Sequence, residues 1–127
     1  LALDGVPEFK GLNPDQLGNR LLIAPDMGYV DHAFNHSKYG EYSARPVAEI
    51  TIPSLHDNSL APKGQHVLSA VVQYAPYQLK TGWSDHKTTF TDLVIDTLAA
   101  YAPRIRSQVL HRELLTRTCY KQCLKVL

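Results

Sequence analysis

Nowhere do these 127 residues run apolar for the roughly 18 positions that a membrane-crossing helix needs. Asp4, Pro7 and Glu8 break up the start, so the opening residues do not read as a secretory signal. Cysteine is nearly absent. The two present, Cys119 and Cys123, are too few for a disulfide framework, and a reducing, cytoplasmic setting is the expectation. Neither G-x-G-x-x-G nor a P-loop occurs, so no glycine-rich turn cradles a phosphate. Charge bias is also missing: 13 Lys or Arg against 12 Asp or Glu predict no general attraction to nucleic acid or anionic lipid. The excess that exists is local. From Arg104 onwards six Lys or Arg residues meet one acid, Glu113, which reads as a solvated stretch rather than a phosphate-binding patch.

What remains is an ordinary globular composition, 44% hydrophobic and 20% charged, too apolar for disorder and of a length for one domain. Leu1 to Leu3 reads as strand, and Gly11 to Gly18 as loop. Arg20 to Ala24 is a short apolar run stopped by Pro25. Asp26 suits an N-cap for a helix over residues 28–39, with Val30, Ala33, Phe34 and Ser37 on its inner face and Gly40 ending it. Val47 to Ile52 alternates as a strand does, Ala48, Ile50 and Ile52 facing one way. A polar connection closes on Ala61-Pro62-Lys63-Gly64, which suits a type I turn.

Gln65 to Ala75 is the strongest strand pattern, with Leu68, Ala70, Val72 and Tyr74 on its apolar face. It is expected to pair antiparallel with 47–52. A helix over 85–101 buries Phe90, Leu93, Val94, Leu98 and Tyr101. Ser107 to Leu115 reads as a last strand. This order predicts an α+β domain, a mixed or antiparallel sheet with helices packed on it.

The chemistry-bearing residues form no complete site. His32 and His36 share a helix face, but a catalytic zinc needs three protein ligands and no third suggests itself. Cys119 and Cys123 are half of a metal-site spacing with no second half. Ser54, His56 and Asp57 supply triad residue types within four positions, yet triad members converge from separate elements, so a hydrolase reading is rejected. No catalytic, cofactor-binding or metal-binding residue is assigned. Tyr74, Tyr77 and Trp83 around Pro76 and Gly82 have the character of a cavity wall.

Several stretches carry a resemblance. They are Pro46-Val-Ala-Glu-Ile-Thr-Ile-Pro-Ser-Leu55, Asp57-Asn-Ser-Leu-Ala-Pro-Lys-Gly-Gln-His66, Gln73-Tyr-Ala-Pro-Tyr-Gln-Leu-Lys80, Val94-Ile-Asp-Thr-Leu-Ala-Ala-Tyr-Ala-Pro103 and Leu110-His-Arg-Glu-Leu-Leu-Thr116. Tyr39-Gly-Glu-Tyr-Ser-Ala-Arg-Pro46 and Ile23-Ala-Pro25 fit the same pattern. Together they resemble the phytoene-dehydrogenase-related flavoproteins, the branch also called pyridine nucleotide-disulfide oxidoreductase domain-containing.

The resemblance implies an FAD-dependent oxidoreductase with an amine-oxidase-like fold, of which residues 1–116 would be a fragment of the substrate domain. FAD would be bound by the full-length parent, none by this chain alone, and the fragment would be inactive by itself. Its partners would be an apolar small-molecule substrate and the missing FAD domain, with no nucleic acid, and a homo-oligomer through an exposed sheet edge. Thr51, Ser69, Gln73, Tyr74 and Tyr77 are the substrate-cavity candidates. Residues 117–127 depart from the family's pattern and read as an atypical tail, foreign or frame-shifted. The alternative from another class is a free-standing, non-catalytic binding or dimerisation domain; a G-x-G-x-x-G unit encoded upstream in the gene would decide against it.

Overall fold

Leu68 divides what reads in sequence as one long strand. In the computed structural model, which describes residues 1–116, the stretch from Gln65 to Gln73 forms two strands separated by this single residue, and each joins a different sheet. Strand β4 (Gln65–Val67) pairs with β1 (Ala2–Asp4), which pairs in turn with β6 (Val109–His111). Strand β5 (Ser69–Gln73) pairs with β3 (Val47–Thr51), whose other neighbour is β2 (Leu21–Ile23). All four pairings are antiparallel, so the expected sheet exists as two three-stranded ones.

The break has a physical cause. Leu68 donates its N–H to Leu1 O at 2.9 Å, and its carbonyl accepts from the Leu1 nitrogen at 2.8 Å. The backbone at this point is thus committed to the first sheet, while Ser69 already faces Thr51 in the second. The Leu68 side chain is 1% exposed and packs with Leu3, Ile50, Phe90 and Leu98 between the sheets. Complete burial of a side chain of this size is worth roughly 1.5–3 kcal/mol. The expected apolar face does form: Ala70 and Val72 turn to the core, and Ser69, Val71 and Gln73 to the outside.

Helix α1 (Met27–Lys38) starts as its sequence indicates, the Asp26 carboxylate accepting from Tyr29 N–H at 2.8 Å. It ends in a Schellman turn: Glu41 N–H reaches His36 O, Gly40 N–H reaches Ser37 O, and Gly40 takes φ +70°. Ala33 is its fully buried residue. Phe34, expected on the inner face, is instead 43% exposed. A helix that packs through an alanine leaves the next large residue at the rim, where Phe34 meets the Tyr74 ring edge-on at 5.2 Å.

Helix α2 (Lys87–Tyr101) buries Phe90, Val94, Ile95 and Leu98, with Leu93 and Tyr101 half-buried against the same core. Beyond it the expected long strand is mostly absent. Ala102 and Arg104 carbonyls accept from Ile105 and Ser107 N–H, so Ile105–Gln108 coils into the short helix α3, with Ile105 filling a core position. Strand β6 keeps only three residues. Leu110 and Leu115 stay more than half exposed, beside Arg106 and Arg112, which are ion-paired to Asp96 and Asp92 of α2. The turn before β4 also slides by one residue: Gln65 N–H bonds Pro62 O, placing Gly64, φ +83°, at the third position where a type II turn needs it.

Two outcomes test this packing. Leu68→Ala should lower unfolding stability by about 2–5 kcal/mol in a urea titration, against about 0.5 kcal/mol for Val71→Ala on the outer face. Equal losses would mean that Leu68 does not join the sheets as described. The second concerns Tyr29, whose hydroxyl donates to Pro46 O at 3.0 Å. Burial, helped by nearby Tyr101 and opposed by Arg45, raises its pKa above the ordinary 10.0. A raised folded-state pKa gives stability that is complete below 10.0 and is lost as the pH climbs above it. Tyr29→Phe should cost about 0.5–1.5 kcal/mol at neutral pH and flatten the alkaline fall; an unchanged alkaline slope would remove Tyr29 as its source.

Candidate functional site

The free side of β5 looks onto a groove of about 1240 Å³. Drug-sized pockets are typically about 300–1,000 Å³, so this space exceeds the usual size of a small-molecule site. One wall is β5 and the segment after it, through Gln78; the other includes residues 113–116 and Leu1. Phe90 and Trp83 line it as well, and the C-terminal end of α1 contributes Ser37, Lys38 and Gly40.

An aromatic cluster supports one end. Tyr42 packs on Phe90 with ring centroids 4.7 Å apart, and Trp83 meets Phe90 edge-on at 5.4 Å. Trp83 Nε1–H donates to Pro76 O at 3.1 Å, tying the loop after β5 to the cluster. His86, at the N-cap of α2, has Thr81 Oγ1 2.8 Å from Nε2 and Tyr42 OH 3.4 Å from Nδ1. With both ring nitrogens facing hydroxyls, His86 braces the entrance to α2. The sequence pattern placed Phe90 in the buried stripe of its helix, where it is, but passed over Tyr42 and His86. The available signal was the recurrence of Trp83, His86 and Phe90 at intervals of three and four, a helical face starting before the helix does.

Of the five cavity candidates, Ser69, Gln73, Tyr74 and Tyr77 line this groove. Thr51 does not. It lies opposite Ser69 on the same sheet face, but one strand further in, on β3. Among the described residues the groove's walls carry no His, Cys or Asp. Their charged side chains are Lys38, at the Tyr74 end through Phe34, and Glu113, at the Leu1 end. Such walls hold an apolar body and offer hydroxyl and amide contacts; they supply no nucleophile with an adjacent base.

The remaining polar clusters fall apart as sites. Ser54, 3% exposed, has Oγ 3.0 Å from His66 Nδ1 and accepts Val67 N–H at 3.0 Å. His56 Nε2 lies 2.7 Å from Gly18 O. Asp57 accepts from Ser59 Oγ–H and N–H, and those bonds hold its carboxyl below the usual range. The three triad-type residues therefore serve three separate loops. His32 and His36 rings stand 5.0 Å apart, and His36 Nδ1 is 3.8 Å from Glu41 Oε2. Among the described residues no three His, Cys, Asp or Glu converge as metal ligands, and no helix is long and apolar enough to cross a membrane. Cys119 and Cys123 lie outside the described residues.

No family model matches the chain. Curated proteins do resemble it, among them two of the same name. The chain is 38% identical to the rat "Pyridine nucleotide-disulfide oxidoreductase domain-containing protein 2" over 128 aligned residues, which is 91% of this chain and 22% of the rat protein. The mouse protein of the same name is 37% identical over the same shares. The likeness is to a piece of an oxidoreductase-domain protein. This chain spans about a fifth of the length of the curated relatives it matches.

One outcome checks the structural reading of the Ser54 cluster. Ser54→Ala strands the Val67 N–H beside His66 and should cost about 1–3 kcal/mol, whereas His56→Ala on the surface should stay near 0.5 kcal/mol. Chemical denaturation of both variants measures this, and an Ser54→Ala variant as stable as the parent chain would refute it.

Proposed function

We propose that residues 1–116 are part of the substrate domain of an FAD-dependent oxidoreductase of the phytoene-desaturase-like kind, cytoplasmic, and inactive as an isolated chain. The observation that carries this reading is the likeness, over 91% of the chain, to about a fifth of two oxidoreductase-domain proteins. In this reading residues 117–127 stand outside the domain as a foreign or frame-shifted tail.

Flavin binding is assigned to the missing domain because these residues do not fit the cofactor. A dinucleotide fold uses a glycine-rich turn between a parallel strand and a helix. Here every pairing is antiparallel, and the β2-to-α1 connection reads Ala24-Pro25-Asp26. No step of flavin chemistry is therefore derived from this chain. Its own contribution is apolar enclosure: the groove beside β5 orients an apolar substrate and keeps water from it. Tyr74, Tyr77 and Trp83 supply the apolar surface, Ser69 and Gln73 the polar contacts, and Thr51 extends the same sheet face inward.

Trp83 is the chain's one tryptophan and stands in the groove wall, so its fluorescence reports occupancy. Titration with a conjugated polyene should quench it saturably, and FAD should bind neither tightly nor stoichiometrically. Failure of the polyene to quench would end the substrate-groove assignment. Stoichiometric FAD with its yellow absorbance bands would overturn the division of labour between this chain and a missing domain.

A further inference from the structure

The groove wall has a polarity. Its lining follows the chain without a gap from Val67 to Gln78, and the stretch from Leu68 to Tyr74 alone spans about 20 Å at the rise of an extended strand. Glu113 marks the Leu68 end, where it acts on the Leu1 nitrogen that is bonded to Leu68 O. Lys38 marks the other. Its ammonium lies 4.8 Å from the centre of the Phe34 ring, and that ring meets Tyr74 edge-on at 5.2 Å. Between the two, Ser69 to Gln73 carries no charge.

We infer that the groove takes an elongated apolar molecule ending in a carboxylate, and that Lys38 receives the carboxylate. This rests on the proposed substrate groove and specifies its ligand. A lysine ammonium carries three donors. One goes to Asn35 Oδ1 at 3.1 Å, and among the described residues no carboxylate lies within ion-pair distance to take the others. The neighbouring Ser37 hydroxyl is already spent, donating to Phe34 O at 2.7 Å. Lys38 is thus a cation in the groove wall whose counter-charge the wall does not supply. Glu113 repels the same head group from the opposite end, so the two charges set one orientation, carboxylate toward α1 and apolar end toward Leu68. Tyr74 and Tyr77 then flank the part of the ligand next to its head. One ammonium matches a monoanion better than the nearly double charge of a phosphate ester.

Trp83 quenching by a long-chain conjugated tetraenoic acid and by its methyl ester, each below its aggregation concentration, tests this. The ester is the more apolar of the two, so walls without a working cation would favour it. The acid should instead bind about fivefold tighter, the scale of one exposed charge pair, and its advantage should shrink as salt is added. Lys38→Met keeps an apolar stem and removes the charge; it should bring the acid down to the ester while the ester itself is unchanged. Lys38→Arg should keep the preference, and so should Lys10→Met, which removes a lysine outside the groove. Lys38 is exposed, so none of these changes disturbs the core. Equal binding of acid and ester overturns the inference and leaves the groove standing. A preference for the acid that survives Lys38→Met overturns it too, by placing the carboxylate elsewhere. Quenching by neither probe removes the groove assignment and this inference together.

Discussion

The short segment from Gln65 to Gln73 serves two sheets at once, and the rest of the fold depends on the residue where it changes allegiance. Leu68 spends its backbone hydrogen bonds on Leu1 and its side chain on the core between the sheets. Because β4 and β5 are consecutive, the two sheets are held at a fixed relation by one peptide unit rather than by a flexible connection. Phe90 and Leu98 of α2 and Ile105 of α3 pack into the same core, so the C-terminal helices stabilise the junction from the other side. The groove follows from this arrangement, since the chain that turned away from the first sheet leaves β5 as an outer strand.

Much of this was legible. Period-two alternation located β3 and the core face of β5, and Asp26 and Gly40 marked the ends of α1 through the physics of capping. The expected antiparallel pairing of 47–52 with 65–75 holds in register from Val47 opposite Gln73 to Thr51 opposite Ser69. What could not be read was the division at Leu68. The alternation continues unbroken through it, and only the distant Leu1 backbone supplies the reason to change sheets. Likewise Ser107 to Leu115 has strand-like residues, but Ile105 just before it is buried in the shared core and the chain coils into α3 over Ile105–Gln108, which local pattern cannot express. Tertiary context overrides propensity where elements are short.

The groove was half legible for a related reason. Ser69, Gln73, Tyr74 and Tyr77 lie within nine positions, and any reading of that stretch as an outer strand and loop brings them together. Thr51 was grouped with them by sheet face, which is correct, but membership of a wall depends on which strand is outermost. The supporting aromatics Tyr42 and Phe90 come from elements far apart in sequence and meet only because α2 crosses the core. Residues that act as a brace leave weaker sequence traces than residues that share a strand.

The distribution of chemistry in the molecule follows the same logic. Ser54 and His56 are consumed in holding the connection after β3 against β4 and Gly18, and Asp57 in bonding Ser59 within that connection. They are structural because a long polar connection must satisfy its backbone groups somewhere. The groove, by contrast, has few charges and spends its aromatics on shape. The lining is mixed: Tyr74, Tyr77, Trp83 and Val71 bring apolar surface, while Ser37, Ser69, Gln73 and Gln78 bring polar groups, with Lys38 and Glu113 at its ends. The same scarcity of charge leaves β5 unprotected as an edge. β5 carries no lysine or proline, so the residues that shape the groove wall are the same ones that leave the strand without the usual protection of a sheet edge.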